Sequence, residues 1–196
     1  MKKHNYIGAK KDAFRRLKEL PKDLYYHNLD HTKDVLEAVE SLAYLEGVSD
    51  NLSLLLKTAA VYHDTGYSIA PKEHEKSSAR IAKSILPTYG YNAKEIDRIY
   101  GMIMATQMPQ KPRTKLQKII CDADLDNLGR DDFYLRGELL RLELARQGIK
   151  MSPKEWFEYS VPFLENHNYF TDSAKRLRQK GKEQHIKEIK DLLKIK

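Results

Sequence analysis

The chain has 196 residues, 41% hydrophobic and 32% charged, with a formal net charge of +7 and a single cysteine. That length suits one domain with a substantial core rather than two. The lone Cys121 excludes an internal disulfide and any cysteine-cluster zinc site, and no apolar run approaches the ~20 residues that span a bilayer.

The start, Met1 to Tyr6, is basic, and no apolar stretch follows it, which predicts a cytoplasmic chain without a secretory signal. Helical periodicity then dominates, and no period-2 strand pattern stands out. Ala9 to Leu20 reads as a first helix, stopped by Pro21. A second runs from about Leu29 to Glu46, with Val35, Ala38, Val39, Leu42 and Leu45 inward and Gly47 as its stop. The third starts at the caps Ser49 to Asn51 and ends at Thr65-Gly66, and a loop containing Pro71 follows. His74 to Leu86 and Ala93 to Thr106 are the fourth and fifth, with Pro87 and Pro109 to Pro112 as breaks. Leu116, Ile119, Ile120 and Ala123 begin a sixth; Asp131–Gln147, Ser152–Glu165 and a basic last helix complete the count. Trp156, Phe157, Tyr159 and Phe163 are spaced as helix core, and Cys121 reads as a small core residue.

Residues 171–196 carry nine Lys or Arg against four Asp or Glu, so +5 of the +7 sits there. That fits a solvated amphipathic terminal helix and argues against a nucleic-acid face. The pattern predicts an all-α protein, a single compact helical bundle with short Pro- or Gly-marked connections. Its partners are small molecules, not membrane, and the oligomeric state, homodimer included, stays open.

Three of these helices bring a potential hard-metal ligand to their apolar side. His31 precedes Val35 by four residues and Val39 by eight. On the third helix, Leu52, Leu55, Leu56, Ala59 and Ala60 form a stripe that reaches His63, with Asp64 next. Asp124 follows Ile120 by four; Asp122 lies about 160° away around the helix, while Asp126 stays open because it follows Ala123 by three. Burying imidazole with carboxylate is costly unless something compensates both, and a divalent ion does so. Two imidazoles and two carboxylates suit Zn²⁺, Mn²⁺, Fe²⁺ or Mg²⁺, and leave positions open for water and substrate oxygens.

The order His31 … His63-Asp64 … Asp124 on a helical background resembles the HD superfamily of metal-dependent phosphohydrolases. Tyr26-His27-Asn28-Leu29-Asp30-His31 is similar to the Tyr-His-Asn-x-x-His signature of class I cyclic nucleotide phosphodiesterases. Ala123-Asp124-Leu125-Asp126-Asn127 resembles their Ala-Asp-Leu-Ser-Asn segment, which selects Asp124 as the ligand. The resemblance covers about residues 25–130 of an HD-type domain spanning 1–196; 131–170 are additional helices and 171–196 the basic C-terminal one.

The resemblance implies a divalent metal held by His31, His63, Asp64 and Asp124, with Zn, Mn, Fe, Ni, Co or Mg all acceptable. It makes His27 the general acid for the leaving alkoxide, one helical turn from His31 if that helix starts early, and Asp64 a ligand able to bridge two ions. His74 matches the first of further histidines found in two-metal relatives. Where the next would stand, the chain reads Met104-Ala105-Thr106-Gln107, so one tight ion and a weak second are implied. Tyr67 replaces a lysine common after His-Asp-x-Gly, and Gln107 and Gln117 match a purine-gripping glutamine by type only. For phosphate, Arg80 leads Lys72, Lys111 and Arg113, because a guanidinium suits bidentate contact. The implied function is hydrolysis of a phosphate mono- or diester, a nucleotide or cyclic nucleotide; the alternative is a non-hydrolytic nucleotide- or metal-sensing module acting through a partner.

Overall fold

A computed structural model describes residues 4–69 and 71–194. Among them are nine α-helices and no strand: α1 (Tyr6–Lys18), α2 (Leu29–Leu45), α3 (Asp50–Tyr62), α4 (His74–Ile85), α5 (Ala93–Ala105), α6 (Lys115–Asp124), α7 (Phe133–Arg146), α8 (Pro153–Asn166) and α9 (Asp172–Leu193). None is long and apolar enough to cross a membrane.

Local chemistry sets the helix starts. Helix α1 begins before Ala9, because the Asn5 side chain accepts from Gly8 N–H at 2.9 Å and caps a turn that the apolar pattern did not mark. Asn28 caps α2, accepting from the N–H groups of Asp30 and His31. Asn92, Thr114 and Ser152 start α5, α6 and α8 with reciprocal capping boxes, closed by Glu95, Gln117 and Glu155. Gln117 is thereby a structural residue: its amide also donates to Gly101 O at 3.0 Å, tying α6 to α5.

The main core joins α1 to α6. Val35, Val39 and Leu42 of α2, Leu55, Leu56 and Ala59 of α3, Ile99 and Ile103 of α5, and Ile119 and Ile120 of α6 are all buried in it. Cys121 is buried there too, donating from Sγ to Ala105 O. A smaller core of Leu128, Phe133, Val161, Leu164 and Ile189 joins α7, α8 and α9.

Helix α9 is docked more firmly than a solvated helix. The buried Asp122 accepts from Phe170 N–H, Thr171 N–H and Thr171 Oγ1 at 2.7–2.8 Å, which accounts for its pointing away from Asp124. Asp126 receives a bidentate guanidinium from Arg178 at 2.7 and 3.0 Å. Both carboxylates that flank Asp124 in sequence therefore hold the C-terminal helix in place.

Candidate metal centre

The end of α3 converges with the start of α2 and the end of α6. His63 Nδ1 lies 2.7 Å from Ala60 O, one turn back, which leaves Nε2 as the ring nitrogen facing inward. His63 Nε2 is 3.4 Å from Asp124 Oδ1 and 3.2 Å from Asp64 Oδ2. His31 Nε2 is 3.3 Å from the same Asp124 oxygen and 3.6 Å from the same Asp64 oxygen. One atom each from His31, His63 and Asp124 lie within 4.8 Å of one another.

These atoms do not satisfy each other by hydrogen bonds. His63 Nε2 and Asp64 Oδ2 are buried and lack a hydrogen-bond partner, although nearly every buried polar atom in a folded protein has one. Two imidazole nitrogens and two carboxylate oxygens that converge in this way, one of each buried and unpartnered, fit a divalent cation. Burial pushes the His63 imidazole down, but Asp64 and Asp124 outweigh it and hold it well above its ordinary value. Asp64 and Asp124 are held well below the carboxylate range against the opposing effect of burial, chiefly by His63 for Asp64 and by His31 and His63 for Asp124.

His74 approaches the other face of Asp64, with Nε2 3.3 Å from Oδ1. A close backbone contact brings it there. A Cβ at Gly66 would meet His74 O at 2.0 Å and Ser78 N at 2.6 Å, so only glycine lets α4 approach the 65–68 turn this closely. Gly66 N–H also donates to Ser78 Oγ at 2.7 Å.

His27 lies outside helix α2, which begins at Leu29, so the turn-apart helical arrangement with His31 does not form. Its ring still stands 5.9 Å from that of His31 and 5.6 Å from that of His74. Glu143, on α7, holds it. One Glu143 oxygen is 2.5 Å from His27 Nδ1, and the other accepts the backbone N–H groups of Tyr26 and His27 at 2.8 and 3.0 Å. Glu143 is 1% exposed. It lies beyond the motif-bearing stretch 25–130 and does not figure among the residues expected from sequence; a lone acid within Leu139, Leu140, Leu142 and Leu144 is its only local signal. Tyr67, in the lysine position, stacks on His27 with ring centroids 4.4 Å apart and lies tilted against His74, 4.1 Å between centroids.

A cavity of about 430 Å³ opens from this cluster; His27, Asp64, His74, Glu75, Thr106 and Asp124 line its inner end. Arg80 is exposed on α4 and is not among the lining residues, because the inward face of that helix is taken by Ser78, Ala79 and Ala82. Among the described residues, the one Lys or Arg that lines the cavity is Arg136, paired with Asp132 at 3.0 Å and with Asp34. Of Trp156, Phe157, Tyr159 and Phe163, read as core from their spacing, Phe157 and Phe163 pack against the smaller core; all four also line the outer cavity, and Tyr159 is 64% exposed.

No family model matches the chain. An uncharacterized protein of Clostridium beijerinckii is 36% identical over 90 residues, a match covering 43% of this chain and 57% of that protein. The match thus spans little more than half the length of that relative. Among solved structures, a predicted HD superfamily hydrolase from an uncultured Thermotogales bacterium superposes with a TM-score of 0.64 at 19% identity, covering 93% of this chain and 90% of that one. Bacillus subtilis YpgQ, in complex with ADP, gives 0.68 at 16% identity, with 96% and 95% covered. A Lactobacillus plantarum protein gives 0.66 at 16% identity, with 95% of each chain covered. At such identities the shared feature is the arrangement of helices: the chain has the all-α fold of these three structures, the first of which is described as a predicted HD superfamily hydrolase.

Proposed function

We propose that this chain is a metal-dependent phosphohydrolase, one HD-type domain over residues 1–196, acting in the cytoplasm on a phosphate mono- or diester such as a nucleotide or cyclic nucleotide. The observation that carries this is the convergence of His31, His63 and Asp124 with Asp64, in which His63 Nε2 and Asp64 Oδ2 are buried without a hydrogen-bond partner, next to a cavity of small-molecule size that Asp64 and Asp124 line. A divalent ion held by these side chains would lower the pKa of a water and neutralise charge on phosphoryl oxygens.

The surrounding residues supply the rest. The Glu143 carboxylate fixes His27 through Nδ1, so Nε2 is the nitrogen that carries a proton towards the departing ester oxygen. Tyr67 covers the faces of His27 and His74 and keeps both rings from turning. His74 and Glu75, beside the second Asp64 oxygen, form a weaker second ion subsite.

The test is an assay of metal-stripped protein against phosphomonoesters, nucleotides and cyclic nucleotides, with Mn²⁺, Co²⁺, Ni²⁺, Zn²⁺ or Mg²⁺ restored singly. Hydrolysis that returns with the ion supports the reading. An absence of turnover with every ion overturns it.

A further inference from the structure

The walls of the cavity beyond the metal centre narrow the substrate. They are built where α7 faces α8, from Phe133, Leu140, Leu144, Trp156, Phe157 and Phe163. The Trp156 indole lies across α7 at Gly137, where a Cβ would come within 3.3 Å of Nε1. Three of the polar side chains in this outer part are already engaged. Ser160 Oγ donates to Trp156 O at 2.7 Å, Tyr134 OH to Glu188 at 2.7 Å, and Asn127 Oδ1 accepts from Tyr26 OH at 3.3 Å. What remains for a ligand is mostly ring face and aliphatic surface, with the uncharged Trp156 N–H, Tyr159 OH and Asn127 amide as its hydrogen-bonding groups.

Charge points the same way. Among the described residues, Asp64, Glu75 and Asp124 line the cavity as carboxylates without a guanidinium or ammonium partner; Glu138 is paired with Arg141, and the one lining guanidinium, Arg136, is already neutralised by Asp34 and Asp132. One divalent ion offsets two of those negative charges. A chain of phosphates would find, among the described residues, no free lysine or arginine on the cavity wall to hold its second or third group.

We infer that the substrate is an ester of a single phosphoryl group whose organic part is uncharged and ring-bearing, the ring seated between α7 and α8 and the phosphoryl at the His31–His63–Asp124 end. This rests on the phosphohydrolase reading of the same site. Among nucleotides, monophosphates meet the requirement, and di- and triphosphates do not. Hydrolysis breaks the ester P–O bond: water gives its oxygen to phosphorus and the alcohol leaves with a proton.

Trp156 is the only tryptophan in the chain and lies in this wall, so its emission reports occupancy without turnover. The full chain with Mg²⁺ is titrated with benzyl phosphate, inorganic phosphate and ADP, and hydrolysis of each ester is followed separately. A benzyl phosphate Kd at least tenfold below those of inorganic phosphate and ADP supports the inference. So does a tenfold or greater weakening of benzyl phosphate binding, followed by calorimetry, in Trp156→Ala, with inorganic phosphate binding unmoved. ADP binding as tightly as benzyl phosphate, or tighter, overturns it. Tight benzyl phosphate binding without hydrolysis under any divalent ion sustains the chamber and counts against the hydrolase. Preferred hydrolysis of ATP or ADP sustains the hydrolase and overturns the single-phosphoryl assignment.

Discussion

Glu143 and His27, 116 residues apart in sequence, meet at 2.5 Å through Oε1 and Nδ1. The same carboxylate takes the N–H groups of Tyr26 and His27, so helix α7 fixes both the ring and the backbone of the segment preceding α2. A buried carboxylate with three donors is a positioning device, and His27 is the group it positions.

Glu143→Gln keeps the shape but weakens the hold on Nδ1. It should retain metal and lower kcat about 10- to 100-fold for alkyl phosphoesters, which need their leaving oxygen protonated. Nitrophenyl esters, with good leaving groups, should be affected much less. Equal loss on both ester types would show that His27 is not the proton donor.

Gly181 lies where α9 crosses the 126–129 turn. A Cβ there would meet Gly129 O at 2.3 Å, and one at Gly129 would meet Arg178 O at 2.1 Å. Helix propensity alone would make Gly181→Ala stabilising by about 1 kcal/mol. The backbone contact reverses that sign, and the variant should lose roughly 1–3 kcal/mol by denaturant unfolding. A gain in stability would mean that α9 sits farther from this turn.

His167 should make stability depend on pH. Its ring is largely buried, with Nε2 unpartnered, and burial followed by the nearby Lys182 ammonium pushes its pKa from 6.5 down to about 4. Between those values the unfolded chain binds a proton that the folded chain does not. Stability should therefore fall as pH drops from 6.5 towards about 4, with this group's contribution level outside that window. His167→Gln should remove about 1–3 kcal/mol of that fall. An unchanged slope between wild type and variant would contradict the assignment.

Much of the fold was legible because its helices carry their own stops and caps. Gly47, Pro87 and Ser49 to Asn51 mark boundaries that follow from backbone chemistry alone, as do the apolar stripes that carry His31, His63 and Asp124 to one side. Long-range pairing was not legible. Nothing local to Glu143 announces a partner at His27, and nothing local to Asp122 announces the start of α9. The aromatic residues of α8 have core spacing, and Phe157 and Phe163 do join the smaller core; α7 does not close over Trp156 and Tyr159, so that part of the stripe became a cavity wall. Arg80 was chosen by residue type, and its position on α4 turns it to solvent.

Metal should also act on stability. An ion that binds only the folded chain raises the unfolding midpoint with concentration, by about 2.7 kcal/mol at a hundredfold excess over Kd. Thermal unfolding of stripped protein with rising Mn²⁺ or Zn²⁺ should show this in the wild type and lose it in Asp124→Asn. Equal shifts in both would place the ion elsewhere.

The most direct test of the central claim is the metal content of wild type and His63→Ala, by elemental analysis of protein purified without chelator or nickel affinity. The account predicts near-stoichiometric divalent metal in the wild type and its loss in the variant, with helical content retained in both. Equal metal in the two proteins, or none in either after incubation with each ion, would contradict it.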